Sequence, residues 1–316
     1  MKRYKALFLC DSPENIGYVY SDAQRKQIAE LTQLHDGIVT SDMLIDDAFA
    51  DTEVLFSTWG MPTLTDAQLA HLPNLRAVFY AAGATEGFSA PLFKRNICLC
   101  SAWRANAIPV AQFTVAQIIL SLKNYFSNTT QYKCQASWAT AQRGPGIFDE
   151  TVALIGDGAI ATLVAKMLDA YQLKVLVIPS RHEQRTISLE DAFSQAYVVS
   201  NHLPNLDNNK RVLTKAMFAS MRQGATFINT GRGAQVDEEG LLEVLKARPD
   251  LTALLDVTTE EPLNDASAFY TLPNVHLSTH IAGSLNNEVH RMATYAIDDY
   301  IRFANGEKCE NQVFPM

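Results

Sequence analysis

The sequence has no uninterrupted apolar run approaching the ~20 residues that a bilayer span requires. Its first apolar stretch, Ala6 to Cys10, meets Asp11 before it reaches the length of a signal-peptide core. Neither a membrane association nor a secretory leader is expected, and the expected compartment is cytoplasmic. Positive charge is scarce as well: 26 Lys and Arg against 34 Asp and Glu leave a formal net charge of -8. There is thus no overall attraction for phosphate backbones, and nucleic acid is not an expected partner. Charged residues amount to 19% and hydrophobic residues to 47%, which fits an ordered globular chain and argues against long disordered tails. The cysteines are an odd set of five, Cys10, Cys98, Cys100, Cys134 and Cys309, without paired zinc-type spacing. They read as reduced thiols, Cys98 and Cys100 sharing one strand face as small buried hydrophobes, and no metal is expected.

What is present is a rhythm. A chain of 316 residues predicts two domains. Short apolar runs at Ala6 to Cys10, Val54 to Ser57 and Ala77 to Tyr80 alternate with helical stretches. A second series starts at Thr151 and continues through Lys174 to Ile178, Tyr197 to Ser200, Ala225 to Ile228, Ala253 to Leu255 and Val275 to Ser278. This alternation predicts parallel α/β sheets. Between the series, Pro109 to Phe126 reads as one helix apolar around much of its circumference, to be buried inside a domain or at a subunit interface.

At the head of the second series the predicted strand runs into Gly156-Asp157-Gly158-Ala159-Ile160-Ala161 and then an apolar helix. This is the G-x-G-x-x-A form of the dinucleotide fingerprint: glycines permit the tight turn and close backbone approach to a pyrophosphate, and the helix N-terminus offers amides and a positive dipole end. Alone, such a turn also suits a methyltransferase. The next strand ends in Pro179-Ser180-Arg181. No carboxylate stands there to hold an adenosine ribose, whereas Ser180 and Arg181 suit a 2′-phosphate, so NADP(H) is favoured over NAD(H). The bland alternative is a solvated basic loop with His182 and Arg185.

Three further segments place polar groups at predicted strand ends, where α/β sheets bind ligands. They are Asn229-Thr230-Gly231-Arg232-Gly233, Asp256-Val257-Thr258-Thr259-Glu260-Glu261-Pro262, and Thr279-His280-Ile281-Ala282-Gly283. Taken singly, Arg232 would pass for a surface ion pair, Glu261 for a turn residue and His280 for a buried histidine. Together with the fingerprint and Asn201-His202-Leu203-Pro204, and in this order, they resemble the D-isomer-specific 2-hydroxyacid dehydrogenase family over most of the chain.

The resemblance implies Arg232, Glu261 and His280 as the catalytic trio. Histidine suits the proton transfer that accompanies hydride arrival at a 2-keto acid. A carboxylate on its far ring nitrogen holds the ring and keeps it protonated for reduction, and a guanidinium fork matches the substrate carboxylate as lysine would not. It further implies that His202, Leu203, Pro204, Thr230, Gly231 and Gly283 line the cofactor, with Asp256 facing the nicotinamide carboxamide. Ala82-Gly83-Ala84 is implied as the loop meeting the substrate carboxylate, although the family more often has a glycine-rich form there, and Trp59 would line the same cleft. The implied architecture is two Rossmann-like or flavodoxin-like parallel-sheet domains, with the NAD(P)-binding domain, 103–284, inserted into a substrate-binding domain made of 1–102 and 285–316. A homodimer through the helix near Val110 to Phe126 is implied too. Trp103 and Arg104 replace the small turn usual in the family, and Gln112 stands where many members have glutamate. The expected activity is hydride exchange between NAD(P)H and a small 2-keto or D-2-hydroxy acid. The alternative is a dinucleotide-sensing binding protein of the same fold, and a formate- or phosphonate-type enzyme is a further rival.

Overall fold

A computed structural model describes residues 1–315. The chain forms two compact units, one built from Met1–Ala107 with the stretch from Ser284 onward, the other from Ile108–Gly283. The division falls inside the helix Trp103–Leu122, which therefore starts ahead of Pro109. The sequence places a single helix from Pro109 to Phe126. The observed one ends at Leu122, and Asn124 in the left-handed region (φ 55°) breaks the chain before a second helix, Tyr125–Gln131. Asparagine tolerates that conformation better than most residues.

In the first unit the strands are β1 (Lys5–Leu9), β2 (Gln33–Val39), β3 (Val54–Ser57), β4 (Ala77–Tyr80) and β5 (Cys98–Ser101). They form a sheet in the order β5-β4-β3-β1-β2, parallel throughout, with the short strand Gln312–Val313 added antiparallel to β5. β3 and β4 are buried along their whole length, as a sheet covered on both faces requires. β2 is mostly exposed and polar, an edge strand that hydrophobic periodicity does not reveal. The helix Val289–Ala304 lays Val289, Met292, Ala293, Ala296, Ile297 and Tyr300 onto the face that carries Phe56 and Phe79. The last segment of the chain thereby completes the core of the first. The Tyr300 hydroxyl donates to the Leu31 carbonyl at 3.1 Å, so the buried phenol is not left unpaired.

In the second unit β6 (Thr151–Ile155), β7 (Lys174–Ile178), β8 (Val198–Asn201), β9 (Thr226–Asn229), β10 (Thr252–Leu255) and β11 (Val275–Leu277) form an all-parallel sheet in the order β11-β10-β9-β8-β6-β7. The strand order reverses between β6 and β8, the topological switch point at which open α/β sheets bind ligands beyond the carboxyl ends of the strands. Ala111, Ile118 and Leu122 of the helix Trp103–Leu122 pack in this unit's core with Val152, Leu154 and Val164. That 20-residue helix has the length and hydropathy of a membrane span. Its buried Thr114 contacts Thr230 Oγ1 at 3.2 Å, the packing expected of a core helix.

Candidate active site

The switch point of the second sheet carries the fingerprint. β6 is followed by Gly156, whose φ of +117° favours glycine. A Cβ on Gly156 would come within 2.5 Å of the His202 carbonyl oxygen at the end of β8, so the two strand ends touch only because that side chain is missing. Gly158, by contrast, faces open space and caps the helix Ala159–Leu168 with no side-chain partner. The first-turn amides, those of Ala159 and Ile160 among them, project from a helix start whose dipole favours anions. Ala161 is fully buried against the sheet. A cradle with one glycine packed on protein and the next open to a ligand fits a dinucleotide pyrophosphate.

At the end of β7 the structure corrects the sequence expectation. No carboxylate stands on the strand, yet the fingerprint's own Asp157 brings one there: its Oδ1 accepts from the Ser180 amide at 3.1 Å and from Ser180 Oγ at 3.0 Å. These hydrogen bonds, the amide of Ser180 first, hold the Asp157 carboxyl below the usual aspartate range. Ser180 Oγ is thus engaged with an anion, and Arg181 beside it is exposed.

The ends of β8 and β9 are joined by a buried amide network that sequence reasoning missed. Asn201 Nδ2 donates to Asn229 Oδ1 at 3.0 Å and to Gln235 Oε1 at 2.6 Å, and Gln235 Nε2 donates to the carbonyls of Leu203 and Pro204 at 2.7 and 2.9 Å. Asn229 receives the Gly231 amide at 3.1 Å and gives its Nδ2 to the Arg232 carbonyl at 3.2 Å. Three side chains therefore fix the backbone of Leu203–Pro204 and Gly231–Arg232 together. The available signal was a polar residue closing each apolar strand, Asn201 and Asn229.

His202 lies between the fingerprint and this network. Its Nε2 pairs with Ser200 Oγ at 3.0 Å, while its Nδ1 has no partner among the described residues. Burial pushes its pKa down to about 4. The unfolded chain binds this proton more readily, near pH 6.5, so stability should fall as the pH drops from about 6.5 to 4 and level off below. His202→Gln is expected to remove much of this slope, on the order of 3 kcal/mol at most, in unfolding midpoints measured between pH 4 and 7. An unchanged slope would assign the acid sensitivity elsewhere.

Two loops carry the remaining candidates. Arg232 follows β9, is half-buried, and gives Nη1 to the Gly231 carbonyl at 2.8 Å. Among the described residues no carboxylate pairs with it, which leaves most of its donor fork unspent. Gly233 lets this loop press on the next: a Cβ there would meet the Thr258 carbonyl carbon at 2.0 Å and the Thr259 nitrogen at 2.2 Å. That second loop holds Glu261, whose Oε1 accepts from the Thr258 amide at 3.3 Å and whose Oε2 contacts His280 Nδ1 at 2.7 Å. His280 follows β11 with φ of +55°. Its backbone is held there by the neighbouring Asp256: the His280 amide donates to the Asp256 carbonyl at 3.0 Å, and the Asp256 carboxylate accepts from Ser278 Oγ (2.6 Å) and from the amides of Ile281 and Ala282 (both 2.9 Å). Asp256, only 3% exposed, is thus the organiser of the His280 loop, a role the sequence reading did not include. Gly283 follows at the edge of the unit.

In the first unit, Ala82, Gly83 and Ala84 follow β4. Ser101 Oγ contacts the carbonyl oxygens of Ala82 and Gly83 at 2.8 and 2.7 Å, and the amides of Gly83 and Ala84 have no partner among the described residues. Trp59 follows β3; its carbonyl accepts from Asn15 Nδ2 at 2.9 Å and its ring stacks on Tyr18 at 6.5 Å.

Residues 115–282, more than half of the chain, match the family described as D-isomer specific 2-hydroxyacid dehydrogenase, NAD binding domain. The chain belongs to the D-isomer-specific 2-hydroxyacid dehydrogenase family. It is an oxidoreductase of 2-hydroxy and 2-keto acids that uses a nicotinamide dinucleotide. Glyoxylate/hydroxypyruvate reductase B of Klebsiella pneumoniae (strain 342) is 30% identical over 285 residues, 85% of this chain and 87% of that protein. The protein of the same name from Enterobacter sp. (strain 638) is 29% identical over 284 residues, 85% of this chain and 86% of its own. The fold is that of Rhodotorula graminis D-mandelate dehydrogenase in its apo form, with TM-score 0.82 at 18% identity, covering 100% of this chain and 99% of that one. Relatives named as reductases do not favour the purely sensing alternative.

Proposed function

We propose that this family member reduces a 2-keto acid of the size of glyoxylate or hydroxypyruvate, with His280 delivering the carbonyl proton. The observation that carries the proposal is the 2.7 Å contact between His280 Nδ1 and Glu261 Oε2. A carboxylate on Nδ1 makes that nitrogen the N–H donor and leaves Nε2 as the one to exchange a proton with substrate. When bound, the nicotinamide supplies the hydride. Arg232 binds the substrate carboxylate with its unspent fork, and Asp256 keeps His280 in place. In the reverse direction Nε2 takes the hydroxyl proton back. The size of the substrate rests on the relatives named glyoxylate/hydroxypyruvate reductases.

Initial rates with glyoxylate, hydroxypyruvate, pyruvate and phenylpyruvate test this. Turnover of glyoxylate and hydroxypyruvate well above phenylpyruvate is the expected result. No turnover with glyoxylate or hydroxypyruvate, despite dinucleotide binding, would overturn the proposed substrate size.

The cofactor proposed is NADP(H), supported by exposed Arg181 beside Ser180, with the Asp157 carboxylate opposing a 2′-phosphate and keeping the preference small. Asp157→Asn is expected to raise the NADPH-to-NADH ratio of kcat/KM about fivefold to tenfold, the equivalent of ~1 kcal/mol of repulsion lifted at a solvated site. Arg181→Ala should move the ratio the other way. If Asp157→Asn leaves it unchanged, Asp157 merely shapes the turn. A cytoplasmic homodimer completes the proposal, supported by the odd cysteine count and by Leu120, 37% exposed on the helix Trp103–Leu122; light scattering coupled to gel filtration checks the dimer.

A further inference from the structure

Far along the chain from the residues above, the segment that follows the helix Val289–Ala304 brings a third cysteine to β5. Cys98 and Cys100 stand on the same face of that strand with their sulfurs 4.0 Å apart. Cys309 joins them, and all three Sγ atoms lie within 4.8 Å of one another. Cys100 and Cys309 are 1% and 4% exposed, and Cys98 is half-buried. We infer that these three thiols bind a single thiophilic d10 metal ion, the class to which Zn²⁺, Cu⁺ and Cd²⁺ belong.

The spacing suits such an ion. Metal–sulfur bonds of about 2.3 Å in tetrahedral geometry place sulfur atoms about 3.8 Å apart, so small side-chain rotations are enough to close the site. A disulfide fits less well. Same-face neighbours on a strand are about 6.6 Å apart along the chain, at the far limit of what a disulfide spans. A bond from Cys309 to either would strand the third thiol. An all-sulfur donor set selects soft ions over magnesium or calcium.

The surroundings hold the donors in place. Cys309 Sγ donates to the Asp299 main-chain carbonyl at 3.5 Å. The Asp299 carboxylate accepts from the Glu310 amide at 2.7 Å and from Asn311 Nδ2 at 2.9 Å, which fixes the segment just after Cys309. Gln312 then pairs with Cys100 across the sheet. With its carboxylate spent on that segment, Asp299 is not a free fourth ligand, so the site offers three sulfurs and favours a low-coordinate ion. An open cavity of about 540 Å³, lined in part by Asp299, Arg302, Glu310 and Asn311, borders the segment just after Cys309. Binding replaces the thiol protons and ties the end of the chain to β5.

The test uses the full chain carrying Cys134→Ser, which removes the exposed thiol, stripped of metal under reducing conditions. Titration with Cd²⁺, and separately with Zn²⁺ and Cu⁺, is followed by the sulfur-to-metal charge-transfer band, by thiol protection from Ellman's reagent and by Tm. One equivalent per chain, protection of three thiols and a Tm raised by several degrees are expected. In the same background Cys98→Ser should lose the one-equivalent band while keeping keto-acid turnover. The proposal is overturned if the parent chain shows no stoichiometric band and no protection, a result that requires no further variant. It is equally overturned if Cys98→Ser, folded by circular dichroism, binds as the parent does, or if the oxidised protein loses two mass units and thereafter takes up no metal on reduction.

Discussion

His280→Ala is expected to lower kcat for keto-acid reduction by about 10²–10⁴-fold, the usual worth of a positioned general acid, while dinucleotide affinity stays within about twofold. The separation follows from where the side chain sits. His280 stands beyond β11 on a loop pinned through Asp256, whereas the candidate pyrophosphate cradle consists of Gly156, Gly158 and the helix start at Ala159. Glu261→Gln should cost less than the histidine deletion, since an amide oxygen still accepts from Nδ1–H but no longer balances the ring's charge. Steady-state rates with glyoxylate or hydroxypyruvate, paired with dinucleotide fluorescence titrations, give both numbers. A kcat for His280→Ala within a few-fold of the parent would remove His280 as the proton donor.

The second large effect is expected at Arg232. Arg232→Ala should lower kcat/KM by about 10²–10³-fold, as loss of charge-assisted hydrogen bonds to a carboxylate predicts, and Arg232→Lys should recover little of it. Lysine keeps the charge but presents a point donor where a planar fork is needed. The backbone at this position is held by Asn229 and, through Gly231, by the Asn201–Gln235 network. The substitutions should therefore leave Tm nearly unchanged, which separates a binding role from a structural one. If lysine restores full activity, electrostatic attraction alone is at work and the fork geometry has no part in it.

The turn from β6 into the helix Ala159–Leu168 was legible from the sequence because its requirements are local: a glycine at positive φ, an open glycine at the helix start and a small residue facing the sheet all fall within six positions. The candidate trio Arg232, Glu261 and His280 was named by resemblance, each in its own strand-end segment, and the structure joins Glu261 to His280. β2 was not, because an exposed edge strand carries no apolar alternation. The helix Trp103–Leu122 was misjudged at both ends, since it continues through Pro109 and stops where Asn124 turns left-handed.

The sequence by itself therefore determined the parallel α/β class and the glycine turn of the fingerprint, which depend on periodicity and on backbone demands met within a few residues; the candidate catalytic groups came by family resemblance. Tertiary structure alone decided which distant groups share a site: Asp157 with Ser180, 23 positions on; Gln235 with Asn201, 34 positions back; Asp256 with the amides of the His280 loop; Cys309 with Cys98 and Cys100. Each of these meetings is set by strand order and register, which arise from the burial of whole sheet faces. A register shift of one residue would turn every side chain of a strand to the opposite face, and no short stretch of sequence contains that information.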